Sequence, residues 1–125
     1  MRQLLINLRE LYGKALQPVT ITENGCSATE SDRPRIDFMA AHLDALAQAA
    51  AEGIDIRGYY TWSLLDNFEW AEGLFRQRFG LDHVDFETQR RTPKVSYGWY
   101  RDLIACPPGA EREVEVGNFI ARVQS

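Results

Sequence analysis

Cysteine and histidine are scarce in this sequence, with two of each among 125 residues. Cys26 and Cys106 stand far apart and neither belongs to a Cys-x-x-Cys pair, which argues against a disulfide framework or a zinc ribbon. Two free thiols fit a reducing, cytoplasmic setting. His42 and His83 share no ligand spacing with each other or with the cysteines, so no structural metal is expected, and His42 sits beside the apolar stripe of a predicted helix as a packed side chain. Long apolar runs are also missing. None approaches the roughly 18 residues of a membrane span, and Arg2 to Arg9 is an interrupted amphipathic pattern rather than a signal-peptide core. No Asn-x-Ser/Thr sequon occurs, which removes one sign of secretion. There is no excess of positive charge, since 14 basic residues face 18 acidic ones and the formal charge is −4. Without a basic stripe to release counterions from phosphates, a nucleic-acid partner is not expected. A membrane partner is not expected either.

What is present is the composition of a soluble globular chain, 45% hydrophobic and 26% charged,. Leu4, Leu5, Leu8, Leu11 and Tyr12 recur at helical spacing and Gly13 follows as a stop, predicting a helix from Arg2 to Tyr12. Pro18 precedes the β-branched run Val19-Thr20-Ile21-Thr22, a short buried strand, with Glu23-Asn24-Gly25 as a polar turn after it. From Ile36 to Ala50 the apolar residues fall at i, i+3, i+4, i+7, with Asp32 placed to cap, Pro34 in the first turn and Gly53 at the stop. Ile54 to Trp62 reads as a second strand. Strand, helix and strand with short connections make a βαβ unit with parallel strands. Ser63 to Thr92 reads as a long loop with short strand pieces, and loops of that length are usually functional. Thr92-Pro93 is expected to open a last helix with Val95, Trp99 and Leu103 inward and Pro107-Pro108-Gly109 closing it. Tyr97, Trp99 and Tyr100 are assigned to packing. Glu111 to Val116 alternates charged and apolar residues, and nothing in it points to a function.

In parallel α/β folds the active site lies at the carboxyl ends of the strands. Glu23 is at such an end, where a rigidly held carboxylate can serve as a nucleophile; on spacing alone a cap or a salt-bridge partner is equally open. Trp62-Ser63-Leu64-Leu65-Asp66-Asn67-Phe68-Glu69-Trp70 starts at the end of the second strand, on the same face. Tryptophan faces suit the C–H faces of a sugar ring, and a carboxylate such as Glu69 accepts from two neighbouring hydroxyls. Core tryptophans with Asp66 and Glu69 as solvated loop charges are the alternative.

Ile21-Thr22-Glu23-Asn24-Gly25 resembles the nucleophile signature of glycoside hydrolase family 1, and Trp62 to Trp70 resembles that family's glycone-binding loop. Asp32, Arg35, His42-Leu43, Gly53, Gly58-Tyr59, Arg78-Phe79-Gly80-Leu81, Val84-Asp85, Thr88, Arg91-Thr92-Pro93-Lys94, Ser96 and Trp99-Tyr100 continue the match in one register. The resemblance implies a retaining β-glucosidase, or a relative acting on galactosides or fucosides. Glu23 would be the nucleophile, Trp62 a platform under the glycone, Glu69 and Trp70 its hydrogen-bonding partners, and Phe79 a residue at the border. It implies a neutral β-glycoside or oligosaccharide as substrate and no metal or organic cofactor. Two features depart from the pattern. Four residues, Leu74 to Gln77, stand where three are usual, with Leu74 in place of a tyrosine. The Asn-Glu-Pro segment carrying the acid/base glutamate is absent. A (β/α)₈ barrel needs about 250 residues, so the implied fold is the C-terminal part of such a barrel, over residues 1–106, with 107–125 as a tail. Its open edge would favour self-association. A non-catalytic sugar-binding or receptor-binding relative, or a thioglucosidase-like one, are the other readings.

Overall fold

A computed structural model describes residues 1–28, 31–74 and 76–106, with the backbone of 113–116 and 119–122. The helix α1 (Arg2–Tyr12) ends at Gly13, whose φ of 53° suits a residue without a Cβ,. Strand β1 (Val19–Asn24), helix α2 (Arg33–Ala51) and strand β2 (Ile56–Thr61) follow. β1 and β2 pair in parallel, as the βαβ pattern predicts, with Val19 opposite Ile56, Ile21 opposite Tyr59 and Asn24 opposite Thr61. Leu5 and Ile6 of α1, Leu46 and Ala49 of α2, and Ile54 form the core under this pair. Val19, Ile21, Ile56 and Tyr59 pack against it from the sheet; alternation sets the face in β1, while in β2 a register shift after Ile56 brings Tyr59 to the same side.

β1 runs two residues beyond the expected Thr22. Glu23 and Asn24 are strand rather than turn, because the Asn24 carbonyl accepts from the Trp62 N–H at 2.9 Å and prolongs the ladder. β2 begins later than Ile54, whose N–H is taken by the Ala49 carbonyl at the end of α2. Asp32 precedes α2, but its side chain makes no cap. Its carboxylate binds Arg35 and the Ser96 N–H instead, joining α2 to the third helix.

That helix, α3 (Val95–Ile104), follows a hairpin of β3 (Asp82–Val84) and β4 (Arg91–Pro93), paired antiparallel. Thr92 and Pro93 therefore belong to a strand, not to the first turn of the helix. Val95 is 72% exposed and Ser96 is the buried residue of that turn. Trp99 does turn inward, onto Ile36 and Ala40. The Pro107-Pro108-Gly109 stop lies outside the described residues. Within the tail, β5 (Glu113–Val116) and β6 (Phe119–Arg122) pair antiparallel. His42 packs as expected, stacked on Phe38 at 4.1 Å with Nδ1 donating to the Phe38 carbonyl.

Tyr59 links the core to the end of β1 by donating its hydroxyl to Asn24 Oδ1 at 2.9 Å. Burial, then Tyr100 and Cys26, push its phenol well above the ordinary tyrosine value. A raised phenol stabilises the fold fully below the unfolded value of about 10, and that stability is lost as pH rises through the folded value. Between pH 10 and 12, urea unfolding of the native chain should weaken more steeply than that of Tyr59→Phe, by up to about 1.4 kcal/mol per pH unit. Equal slopes would show that this phenol ionises freely in the folded state.

Candidate active site

The catalytic candidate lies where the β1–β2 ladder is irregular. Strict alternation would put Glu23 on the face of Val19 and Ile21, against the helices. The register shifts between Ile21 and Asn24, so Thr22 and Glu23 are both exposed and Asn24 turns to the core side. An extra residue of this kind re-aims the side chains around it. Glu23 thus stands at the carboxyl end of β1, free of the core, and sequence alternation alone gave no sign of the shift.

Trp62 is set beside it by backbone contacts. Its N–H donates to Asn24, and a Cβ on Gly25 would lie 1.9 Å from the Trp62 carbonyl oxygen. Gly25 thus allows the close approach of two segments of the chain. Trp62, 37% exposed, joins Ser63 through a cis peptide bond. Its indole Nε1 donates to Glu69 Oε1 at 3.4 Å, which makes the ring and the carboxylate neighbours. Glu69 is held in turn by its N–H on the Gly73 carbonyl, 2.9 Å away.

The other two candidates are placed differently. Trp70, 86% exposed with φ of 43°, opens a short 3₁₀ turn into solvent. Phe79 is half-buried and is tied to the loop by its carbonyl, which accepts from the Ser63 N–H at 3.3 Å. The structure thus brings Glu23, Trp62 and Glu69 to one end of the strand pair, and leaves Trp70 outside that group.

Asp66 is no solvated loop charge. Its carboxylate is wholly buried and meets Lys94 Nζ at 2.8 Å and Arg78 Nη1 at 3.3 Å. The segment 63–66 runs alongside 79–82, joined by Leu81 N to Ser63 O at 2.8 Å and Asp82 N to Leu64 O at 2.9 Å. The guanidinium of Arg78 lies over the Phe86 ring, 4.6 Å from its centre,. Behind this loop the buried Arg35 binds Asp32 and the Arg78 carbonyl. Desolvation pulls Arg35 down from its ordinary value, against the pull of Cys26 and Asp66. Burial likewise lowers Lys94, opposed by its bond to Asp66, and raises the Cys26 thiol, opposed by Arg35. Among the described residues no cluster of His, Cys, Asp or Glu is grouped to hold a metal ion, and no helix is long and apolar enough to cross a membrane.

A depression of about 300 Å³ is lined by Tyr60, Thr61, Leu64, Leu81, Tyr97, Tyr100, Arg101 and Ile104. None of the five expected site residues lines it. Tyr97 and Tyr100 therefore border a groove as well as pack, Tyr100 donating its hydroxyl to the Tyr59 carbonyl at 3.3 Å.

Comparison with known proteins says which family this strand pair and its flanking loop come from. The glycosyl hydrolase family 1 model matches residues 1–108, and the chain belongs to that family. It is 42% identical over 113 residues to a bifunctional β-D-glucosidase/β-D-fucosidase of Bifidobacterium breve, covering 81% of this chain and 24% of that protein. Among solved structures it resembles a psychrophilic β-glucosidase from Micrococcus antarcticus, with a TM-score of 0.77 and 48% identity over 83% of this chain and 24% of the other. It also resembles a Thermotoga maritima β-glucosidase in complex with glucoimidazole, with a TM-score of 0.76 and 38% identity over 83% and 25%. The chain spans about a quarter of the length of these relatives. They are TIM barrels, and the described residues form a part of one, with no closed barrel.

Gly25→Ala should drive Trp62 away from Asn24, since the added methyl meets backbone rather than a flexible side chain. Loss of about 1–3 kcal/mol in urea unfolding is expected, with a change in tryptophan emission. An unchanged midpoint and spectrum would show that the two chain segments separate freely.

Proposed function

We propose that this chain carries the nucleophile and part of the glycone site of a retaining β-glucosidase acting on neutral β-glycosides. The observation that carries the reading is the break in the β1 ladder, which turns Glu23 out of the core at the carboxyl end of the strand, where Asn24 and Gly25 meet Trp62 and, through it, Glu69. In double displacement Glu23 attacks the anomeric carbon to form a glycosyl ester, while a second carboxyl protonates the leaving oxygen and later activates water. Trp62 would stack under the sugar ring, Glu69 would accept from its hydroxyls, and Trp70 and Phe79 would complete the border. An ionised Glu69 would repel a phosphorylated sugar, which favours a neutral one. Residues 1–106 would form the C-terminal portion of the catalytic barrel, with 107–125 as a tail.

Retaining chemistry needs two carboxyl groups about 5–5.5 Å apart. Asp66 is buried among cations, and Glu69 belongs to the glycone loop, so neither supplies the acid. The isolated chain is therefore expected to be inactive. β1 and β2 each keep one edge without a strand partner among the described residues, and Leu11 and Tyr60 are exposed. Such edges and apolar faces favour self-association. Light scattering should give a mass above the monomer's 14.3 kDa, and an activated aryl glucoside should be cleaved no faster than by Glu23→Gln. A well-folded monomer with activity above that blank would contradict both expectations.

The roles of single residues are tested by grafting residues 1–106 in place of the matching quarter of the Micrococcus antarcticus barrel. Glu23→Gln should lower kcat at least about a thousandfold, because the amide keeps the shape but forms no ester. Glu69→Ser should lower kcat/KM for glucosides by about 2–4 kcal/mol of transition-state binding. Circular dichroism controls for folding. Near-normal turnover of the first variant, or a change under threefold in the second, would remove that residue from its role.

A further inference from the structure

Asp66 takes no part in the chemistry above, yet it has more partners than any other carboxylate described. Its Oδ1 accepts from the Gly80 N–H at 2.9 Å and from Lys94 Nζ at 2.8 Å. Its Oδ2 faces Arg78 Nη1 at 3.3 Å, the Val84 N–H at 3.4 Å and His83 Nδ1 at 3.4 Å. Its own N–H donates to the Asp82 carbonyl at 3.1 Å. A Cβ on Gly80 would lie 2.1 Å from Asp66 N and 2.4 Å from Leu65 C, so the chain segments touch without an intervening side chain. Asp66 sits between Trp62 and Glu69 in the loop, and its partners come from the 78–84 run and from the residue before α3.

We propose that Asp66 is the positioning residue of the sugar-binding loop, its buried negative charge fixing Glu69 against the Trp62 indole. The meaning for catalysis rests on the glycosidase reading, but the geometry itself can be observed without a sugar. Shape alone does not meet the requirement. An asparagine of the same size presents an N–H₂ to a site lined by four donors, the Gly80 and Val84 N–H groups, Arg78 and Lys94, where the His83 ring nitrogen alone can accept,. It also leaves Arg78 and Lys94 without the charge that offsets their mutual repulsion. The 63–66 run would then part from 79–82, and the Trp62–Glu69 contact, spanning both sides of Asp66, would open. Removing one cation together with the carboxylate charge should relieve the repulsion.

The test uses the full 125-residue chain labelled with ¹⁵N at its three tryptophans, Trp62, Trp70 and Trp99, whose indole signals are assigned by Trp→Phe variants. Transverse-relaxation-optimised spectra keep these signals in self-associated species. Glu69→Gln gives the displacement of the Trp62 signal when its acceptor loses charge. Asp66→Asn should move that signal in the same direction by at least half as much, while Trp99, packed on Ile36 and Ala40, stays in place and reports that the helices are intact. The pair Asp66→Asn with Lys94→Met should bring it back toward its native position. Where Asp66→Asn loses the Trp99 signal through unfolding, Lys94→Gln, which removes one donor, should shift Trp62 with the same sign.

A Trp62 signal that stays at its native position in Asp66→Asn, or in Lys94→Gln, overturns the proposal. So does a Trp62 signal insensitive to Glu69→Gln, since there would be no contact to position, and so does the absence of recovery in the double variant. Adding glucoimidazole to the graft described above distinguishes the two levels: no displacement of Trp62 by the sugar mimic counts against the glycone reading and leaves the Asp66 result standing.

Discussion

A carboxylate taken wholly out of water is costly unless cations and donors surround it, and satisfying Asp66 organises half of this structure. Lys94 and Arg78 bind its two oxygens, and both also bind backbone carbonyls of the run beside it, Lys94 at Gly80 and Arg78 at Val84. The carboxylate, its cations and that run thus form one hydrogen-bonded body. Arg35 extends it to α2 by binding the Arg78 carbonyl and Asp32, and Asp32 passes it to α3 through the Ser96 N–H. A loop with little regular structure is in this way fastened to both helices that flank β2. Arg35 is buried and the Lys94 side chain is largely so, and that desolvation pulls both cations below their ordinary values. The network trades hydration for fixed geometry.

The strand pair supplies the other half. Its helix-facing residues fill the core, and its carboxyl end breaks register just where Glu23 must leave that face. Three contacts then hold the end together: Trp62 N–H on the Asn24 carbonyl, Tyr59 hydroxyl on the Asn24 side chain, and the Gly25 backbone against the Trp62 carbonyl. Asn24 takes part in the first two and Trp62 in the first and third. The Asn24 side chain meets Tyr59 and its carbonyl holds Trp62, the first residue of the 62–70 run, to β1, which explains why strand and loop motifs separated by a whole helix meet in one place.

Periodicity carried much of this fold. The helix from Arg2 to Tyr12, the long helix after Pro34 and the parallel βαβ unit follow from spacing, because each buries one regular face. What spacing missed depends on contacts distant in sequence. Asp32 has the right position for a cap, but Arg35 and Ser96 compete for its carboxylate and win. Thr92-Pro93 has the look of a helix start, but it pairs with Asp82 and His83 as a strand. Asp66 reads as a loop charge until Arg78 and Lys94 are folded against it. The candidate site was named by another route: the resemblance of two motifs to one family pointed to Glu23, Trp62, Glu69, Trp70 and Phe79. Only the structure shows that a register shift exposes Glu23 and that a hydrogen bond couples Trp62 to Glu69.

The central claim is that Glu23 becomes covalently bonded to the sugar. The direct measurement uses the grafted barrel and an activated 2-deoxy-2-fluoro-β-glucoside, whose fluorine destabilises the oxocarbenium-like transition state so that the glycosyl ester accumulates. Digestion and mass spectrometry then locate the adduct. The account predicts one fluoroglucosyl group per molecule, on the peptide containing Glu23. An adduct on any other carboxylate, or an active graft that inactivates with no adduct on Glu23, would contradict it.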